Sequence, residues 1–160
     1  MVEPGEGSVP PPPNGILSAK IDEKGRLKLP SKLEEYFIGL GAKTLFITSL
    51  DRISVRVYTP RSWQETRLFL TSDKVDRIKG RDVLFAANDV GGDSDVDSQG
   101  RVLIPQKLRS LLSLENQSVQ IECSPGIASL YTHARYDTRL AVAVDGLEEK
   151  VTSLQEQGLP

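Results

Sequence analysis

Asp22-Glu23-Lys24-Gly25-Arg26-Leu27-Lys28-Leu29-Pro30-Ser31-Lys32-Leu33 returns as Asp97-Ser98-Gln99-Gly100-Arg101-Val102-Leu103-Ile104-Pro105-Gln106-Lys107-Leu108, with every position displaced by 75. Each copy opens with a short carboxylate and a glycine, the pair that suits a turn. Asp accepts backbone N–H bonds there, and Gly takes a positive φ without the clash of a Cβ. Polar and apolar residues then alternate from Arg26 or Arg101, which predicts a short strand, and Pro follows at the start of a helix. Asp22, Gly25, Asp97 and Gly100 are therefore read as structural turn residues in a tandem duplication.

The copies extend beyond this motif. Thr44 to Ser49, a turn at Leu50-Asp51-Arg52 and Ile53 to Tyr58 match Ser118 to Cys123, a turn at Ser124-Pro125-Gly126 and Ile127 to Tyr131. Both read as hairpins followed by a helix start. The period is too long for a solenoid repeat and fits two half-domains that complete one core. One half alone would offer about four short strands with an exposed edge, a marginal structure in water; two halves can close a barrel and hide their edges.

A chain of 160 residues with 38% hydrophobic and 26% charged residues has the size and make-up of an ordinary soluble domain. No apolar run approaches the ~20 residues of a membrane span, and the start lacks a signal-peptide pattern, so the expected location is the cytoplasm. The single Cys123 cannot form an internal disulfide and reads as a buried or half-buried strand residue. A net charge of −2 and a pI near 5.5 argue against a globally positive surface. What steers a protein to DNA is the local patch, and strand alternation puts Lys20, Arg26 and Lys28 within reach of one face.

Met1 to Gly15, with Pro10-Pro11-Pro12-Pro13, reads as a disordered or polyproline arm. Pro30 to Leu40 is predicted as a helix with Leu33, Tyr36, Phe37 and Leu40 inward, and Thr59-Pro60 as the cap of a helix carrying a core Trp63. A connecting helix is expected from Ser72 or Asp73, with Val75, Ile78, Asp82 and Phe85 on one side and a solvated or subunit-contacting charged face. Asp93-x-Asp95-x-Asp97 lacks the Gly and Glu of an EF-hand loop, since Ser98 and Ile104 occupy those places, so it reads as a polar turn at a strand edge. His133 stands without a second His or Cys nearby and is assigned a helix-start or surface role. The tail from Asp145, with Leu147, Val151 and Leu154 in helical register, predicts an amphipathic helix that packs on a neighbour.

No Gly-rich phosphate loop and no Ser/His/Asp or Cys/His constellation is present, so no catalytic residue, metal site, cofactor or small-molecule substrate is assigned. Arg26 and Arg101 each admit two roles: pairing with the turn Asp, or offering a planar fork to phosphate or to guanine.

The two Asp-x-x-Gly-Arg turns, each followed by apolar-x-apolar-Pro-x-x-Leu, resemble MraZ proteins, two-repeat relatives of AbrB and of MazE-type antitoxins. Tyr58-x-Pro60-x-x-Trp63 and Arg81-Asp82-Val83-Leu84-Phe85-Ala86 are similar to further family features, and the resemblance covers roughly Ile16 to Leu140. It implies an α+β, mainly β fold: a pseudo-two-fold swapped-hairpin (AbrB/SpoVT-like) β-barrel with short helices. The division would be a Pro/Gly-rich arm over 1–15, a first repeat over 16–71, a connecting helix over 72–90, a second repeat over 91–142 and a helical tail over 143–160. The resemblance further implies a ring-like homo-oligomer associated with the nucleoid. Such a protein binds double-stranded DNA at repeated promoter boxes and regulates, as a repressor, the division and cell-wall gene cluster that includes its own gene. The DNA-contact set is then Lys20, Lys24, Arg26, Lys28 and Lys32 in the first repeat with Arg101, Lys107 and Arg109 in the second. Two features depart from the family: the arm precedes the first strand, and Glu34-Glu35 stands where the family favours Arg. The alternative is an oligomeric AbrB-like protein-interaction module without strong DNA binding. An antitoxin role is disfavoured, because antitoxins carry one repeat and a toxin-binding tail.

Overall fold

Both copies of the opening motif fold as strand, turn, strand and helix. The computed structural model describes residues 9–160. Its first half runs β1 (Ile16–Lys20), β2 (Arg26–Lys28), α1 (Ser31–Gly39), β3 (Thr44–Thr48), β4 (Val55–Tyr58) and α2 (Pro60–Leu70). After α3 (Arg77–Val90) the order repeats as β5 (Gly92–Asp95), β6 (Arg101–Leu103), α4 (Gln106–Leu112), β7 (Ser118–Ser124), β8 (Ile127–Thr132) and α5 (His133–Val144), with α6 (Leu147–Glu156) at the end. Of the arm expected over 1–15, residues 1–8 lie outside the described residues. Pro10 rests near Gly39, at the end of α1.

The strands pair across the repeats as much as within them. A six-stranded antiparallel sheet has the order β1-β7-β8-β4-β3-β5, and β2 pairs with β6 in a separate antiparallel ribbon. The first strand of each repeat thus lies on the third strand of the other, β1 on β7 and β5 on β3, and the equivalent strands β4 and β8 join at the centre. The architecture is mixed α+β and mainly β, as expected, but the strand ladder does not close into the expected barrel: β1 and β5 remain as edges. The cause is local. Beyond Lys20 the backbone still bonds to the approach to β7, with Ile21 N donating to the Gln117 carbonyl at 2.8 Å, but Ile21 also bridges Leu27 and β2 finds its strand partner in β6.

One core serves both repeats. Leu27, Leu29, Leu33 and Phe37 from the first pack with Val102, Ile104, Leu108 and Leu114 from the second, over Ile47, Val57, Ile121 and Leu130 of the sheet. Each such side chain contributes about 1.5–3 kcal/mol on burial, and neither repeat supplies the full set. A second cluster forms where α2 meets the sheet. Trp63 stacks on Phe46 with centroids 4.4 Å apart and tilts against Tyr58 at 5.0 Å. Thr59 caps α2 by accepting from Ser62 N at 3.1 Å, with Pro60 following.

The connecting helix begins later than expected. Asp76 accepts from Lys79 N at 2.9 Å and so caps α3 at Arg77, leaving Ser72 and Asp73 in the preceding turn. The stripe read as one side of this helix faces outward for Ile78, Asp82 and Phe85; the buried positions are Gly80, Ala87 and Val90. Gly80 sets the spacing of the helix pair, because a Cβ there would stand 2.1 Å from the Leu70 carbonyl oxygen of α2.

Candidate nucleic-acid interface

The two turns have the same hydrogen bonds. Asp22 Oδ1 accepts from the N–H groups of Lys24 and Arg26, both at 2.9 Å, and Oδ2 accepts from Arg26 Nε at 2.8 Å. Asp97 Oδ1 accepts from Gln99 N at 2.8 Å and Arg101 N at 2.9 Å, and Oδ2 from Arg101 Nε at 2.9 Å. Gly25 and Gly100 sit at φ +81° and +74°, as the turn reading requires. The Arg26 backbone N–H holds the Asp22 carboxyl below the ordinary carboxylate range, and the Arg101 backbone N–H does the same for Asp97. Of the two roles open to these arginines, pairing with the turn Asp is the one observed. It uses only Nε, so Nη1 and Nη2 of both side chains are left without a hydrogen-bond partner among the described residues. The carboxylate orients the guanidinium and leaves the fork's outer edge to accept a ligand.

The ribbon then brings the two repeats' arginines onto one surface. Its register sets Lys28 opposite Arg101, Arg26 opposite Leu103, and Leu27 opposite Val102. Leu27 and Val102 are buried, so by alternation Arg26, Lys28, Arg101 and Leu103 share the outer face. The Ile21–Leu27 bridge sets the end of β1, with Lys20, beside β2. Lys24 in the turn and Lys32 at the start of α1 are exposed, and neither side chain has a bonding partner among the described residues.

Three expected DNA-contact cations already have partners within the protein. Arg109 on α4 lies over the first-repeat turn, where Nη1 donates to the Lys24 carbonyl at 2.9 Å and stands 3.6 Å from Glu115. Its side chain is only 15% exposed, which turns the guanidinium from a free phosphate contact into a clamp on the other repeat. A Cβ on Gly25 would stand 2.1 Å from Arg109 Cδ, so this glycine is needed for the close approach as well as for its φ. Lys28 Nζ donates to the Gln99 carbonyl. Lys107 Nζ pairs with Asp89, which also holds Arg52 at 3.2 Å; the Lys107 bond is the main cause of the lowered Asp89 pKa.

Sequence reading missed the partners that bind these cations, Glu115 and Asp89, and the placing of Glu34. By the offset of 75, Glu34 is the counterpart of Arg109, and its carboxylate lies over Gly100 beside Lys28 Nζ. The repeat alignment itself was the available signal for this exchange of charge. In the acidic stretch, Asp95 accepts from Thr44 Oγ1 at 2.6 Å on an edge strand, and the buried Ser94 hydroxyl accepts from Leu103 N at 2.9 Å. Cys123 is half-buried, and burial raises its pKa. His133 is exposed on the first turn of α5, 3.3 Å from Asp137.

The class defined by this geometry is a tandem-repeat protein whose two halves share a core and together present a cationic β-ribbon. No protein-family model matches the chain. It is similar to the transcriptional regulator MraZ of Desulforamulus reducens, at 28% identity over 142 residues, 88% of this chain and 97% of that protein. The transcriptional regulator MraZ of Thermomicrobium roseum is 33% identical over 110 residues, 67% of this chain and 72% of the relative. That of Acetivibrio thermocellus is 37% identical over 105 residues, 63% and 68% of the two chains. The chain belongs to the MraZ family.

Proposed function

We propose that the protein is a sequence-specific DNA-binding transcriptional regulator, a homo-oligomer that uses the β2–β6 ribbon as its reading head. The observation that carries this reading is the shared outer face of Arg26 and Arg101, flanked by Lys20 and Lys24. A two-stranded ribbon fits the major groove, where an arginine fork can pair with guanine O6 and N7 while lysines contact phosphate. The names of the relatives support the regulatory role. In this reading the five-part division given above holds, the paired repeats are a swapped-hairpin unit, and the protein works in the cytoplasm at the nucleoid, without catalysis or cofactor. Its targets are repeated boxes upstream of its own gene and the adjoining division and cell-wall cluster, where it represses. One protomer binds weakly because its net charge is −2, and several copies on repeated boxes raise affinity by avidity.

That acidic balance favours one rival, an oligomeric module that meets proteins instead of DNA. Titration of the purified protein against its own upstream DNA and a scrambled control, at two salt concentrations, separates the two. Binding is expected to be saturable, sequence-dependent, steeply weakened by salt, and lost in Arg26→Ala. No binding to either DNA at low salt would remove the regulator reading in favour of the rival.

A further inference from the structure

The offset of 75 also pairs the groups seated over the two turns, and there the charge is inverted. The carbonyls of Lys24 and Gln99 are equivalent, and each accepts from a cation of the other repeat: Arg109 Nη1 at Lys24, Lys28 Nζ at Gln99. Arg109 reaches its carbonyl from α4, whereas Lys28 reaches its own from the facing strand of the ribbon. The place on α1 equivalent to Arg109 is therefore released from the clamping role, and Glu34 fills it. A Cβ on Gly100 would stand 2.8 Å from both Glu34 Cδ and Lys28 Nζ, so the carboxyl group and the ammonium meet at one point of the second turn.

Glu34 is half-buried, and its carboxylate has neither a hydrogen bond nor an ion pair among the described residues, so no contact in the fold calls for its charge. What it faces is the outer surface of the ribbon. Lys28 and Arg101 stand opposite each other there, and Arg101 keeps Nη1 and Nη2 free beside the second turn. A phosphate brought to that edge meets the Glu34 carboxylate, which repels it and offsets the ammonium of Lys28. At the first turn the equivalent seat holds Arg109, and Lys24 is free where the second turn has Gln99. We propose that Glu34 determines specificity by exclusion: its carboxylate keeps the DNA backbone off the second turn and so limits what Arg101 adds to binding. This role rests on the DNA-binding reading given above, and it makes two turns of equal geometry unequal toward phosphate. Discrimination of this kind uses a repulsive element beside the attractive ones.

Fluorescence-anisotropy titrations of the full chain against its own upstream DNA, over a salt series, compare wild type, Glu34→Gln, Glu35→Gln, Arg101→Ala and the double variant Glu34→Gln with Arg101→Ala. Glu35 is the next residue of α1 and is exposed, so its substitution changes the net charge equally without touching Gly100. Glutamine keeps the shape of glutamate, and circular dichroism checks that each variant folds. Glu34→Gln is expected to tighten binding about three- to tenfold at low salt and to steepen its salt dependence by about one counterion per bound protomer. Glu35→Gln is expected to change affinity by less than about twofold, because an exposed charge away from the contact is screened. In the Arg101→Ala background the gain from Glu34→Gln should vanish. A wild type that binds DNA with no gain from Glu34→Gln would overturn this role alone. An equal gain from Glu35→Gln, or a gain that survives Arg101→Ala, would also overturn it. Absence of DNA binding in wild type and in every variant would overturn it together with the regulator reading.

Discussion

Asp22 Oδ1 and Asp97 Oδ1 each accept two backbone N–H groups, and each Oδ2 accepts an arginine Nε, with all six bonds between 2.8 and 2.9 Å. Around this shared frame the chemistry differs. Lys20, Lys24 and Lys28 of the first repeat have Asp95, Gln99 and Leu103 as counterparts in the second. The residue seated over each glycine differs too: Arg109 over Gly25, and Glu34 with Lys28 over Gly100. A turn held by one carboxylate, one glycine and main-chain groups is indifferent to the side chains at its other positions. One repeat can therefore carry the cations while the other supplies the clamp that steadies them.

The largest expected difference between the repeats is in the glycines. Alanine at φ +81° or +74° costs about 1–2 kcal/mol in either turn. At Gly25 it also displaces the middle of the half-buried Arg109 side chain and breaks its bond to the Lys24 carbonyl, a charged hydrogen bond of about 1.5–3 kcal/mol. At Gly100 it meets the far end of Glu34, which can swing away. Urea denaturation should show Gly25→Ala destabilised by about 2.5–5 kcal/mol and Gly100→Ala by about 1–2 kcal/mol. Equal losses would break the comparison.

Next in size is the pair of arginines. Arg26→Ala is expected to remove sequence-specific DNA binding, at about 1–3 kcal/mol per lost bidentate base contact, and Arg101→Ala to cost less. The ion pairs with Asp22 and Asp97 are partly exposed and screened by solvent, so they add little to stability and unfolding does not account for the loss. Equal effects from both substitutions in a binding titration would show that the ribbon reads DNA symmetrically.

A smaller effect separates two lysines. Lys24→Gln should lower the salt dependence of binding by about one counterion per bound protomer. Lys107→Gln should leave it unchanged, because that ammonium is already neutralised by Asp89. A lowered slope for Lys107→Gln would place α4 on the DNA.

The smallest effect is one the two repeats share. Both turn carboxyls have folded-state pKa values below the ordinary one, so their stabilisation is present above the unfolded carboxylate pKa of about 3.9 and is lost as pH falls through it toward the folded value. Asp22→Asn and Asp97→Asn should flatten the acid limb of the stability curve equally in thermal melts across that range.

Much of this molecule was legible before folding was considered. The turns, the ribbon strands, the caps at Thr59 and the inward faces Leu33-Tyr36-Phe37 follow from contacts a few residues apart, where spacing and residue type decide the outcome. The start of α3 was misplaced because Ser72, Asp73 and Asp76 are all competent caps, and the packing of Gly80 on Leu70 favours the last. The closed barrel was over-read because alternation predicts strands and is silent on which edges meet.

Two equal turns, each with an oriented arginine, follow from local sequence alone, since every bond in them spans four residues or fewer. Which cations remain free depends on how the two repeats pack. Arg109 finds the Lys24 carbonyl 85 residues away, and Lys28 finds that of Gln99 across 71. Lys24 and Lys107 have the same charge in the chain, but only Lys107 meets Asp89 from the end of another helix. A long cationic side chain takes whatever acceptor the fold brings near it, and that acceptor is set by packing between the repeats, which local sequence does not encode.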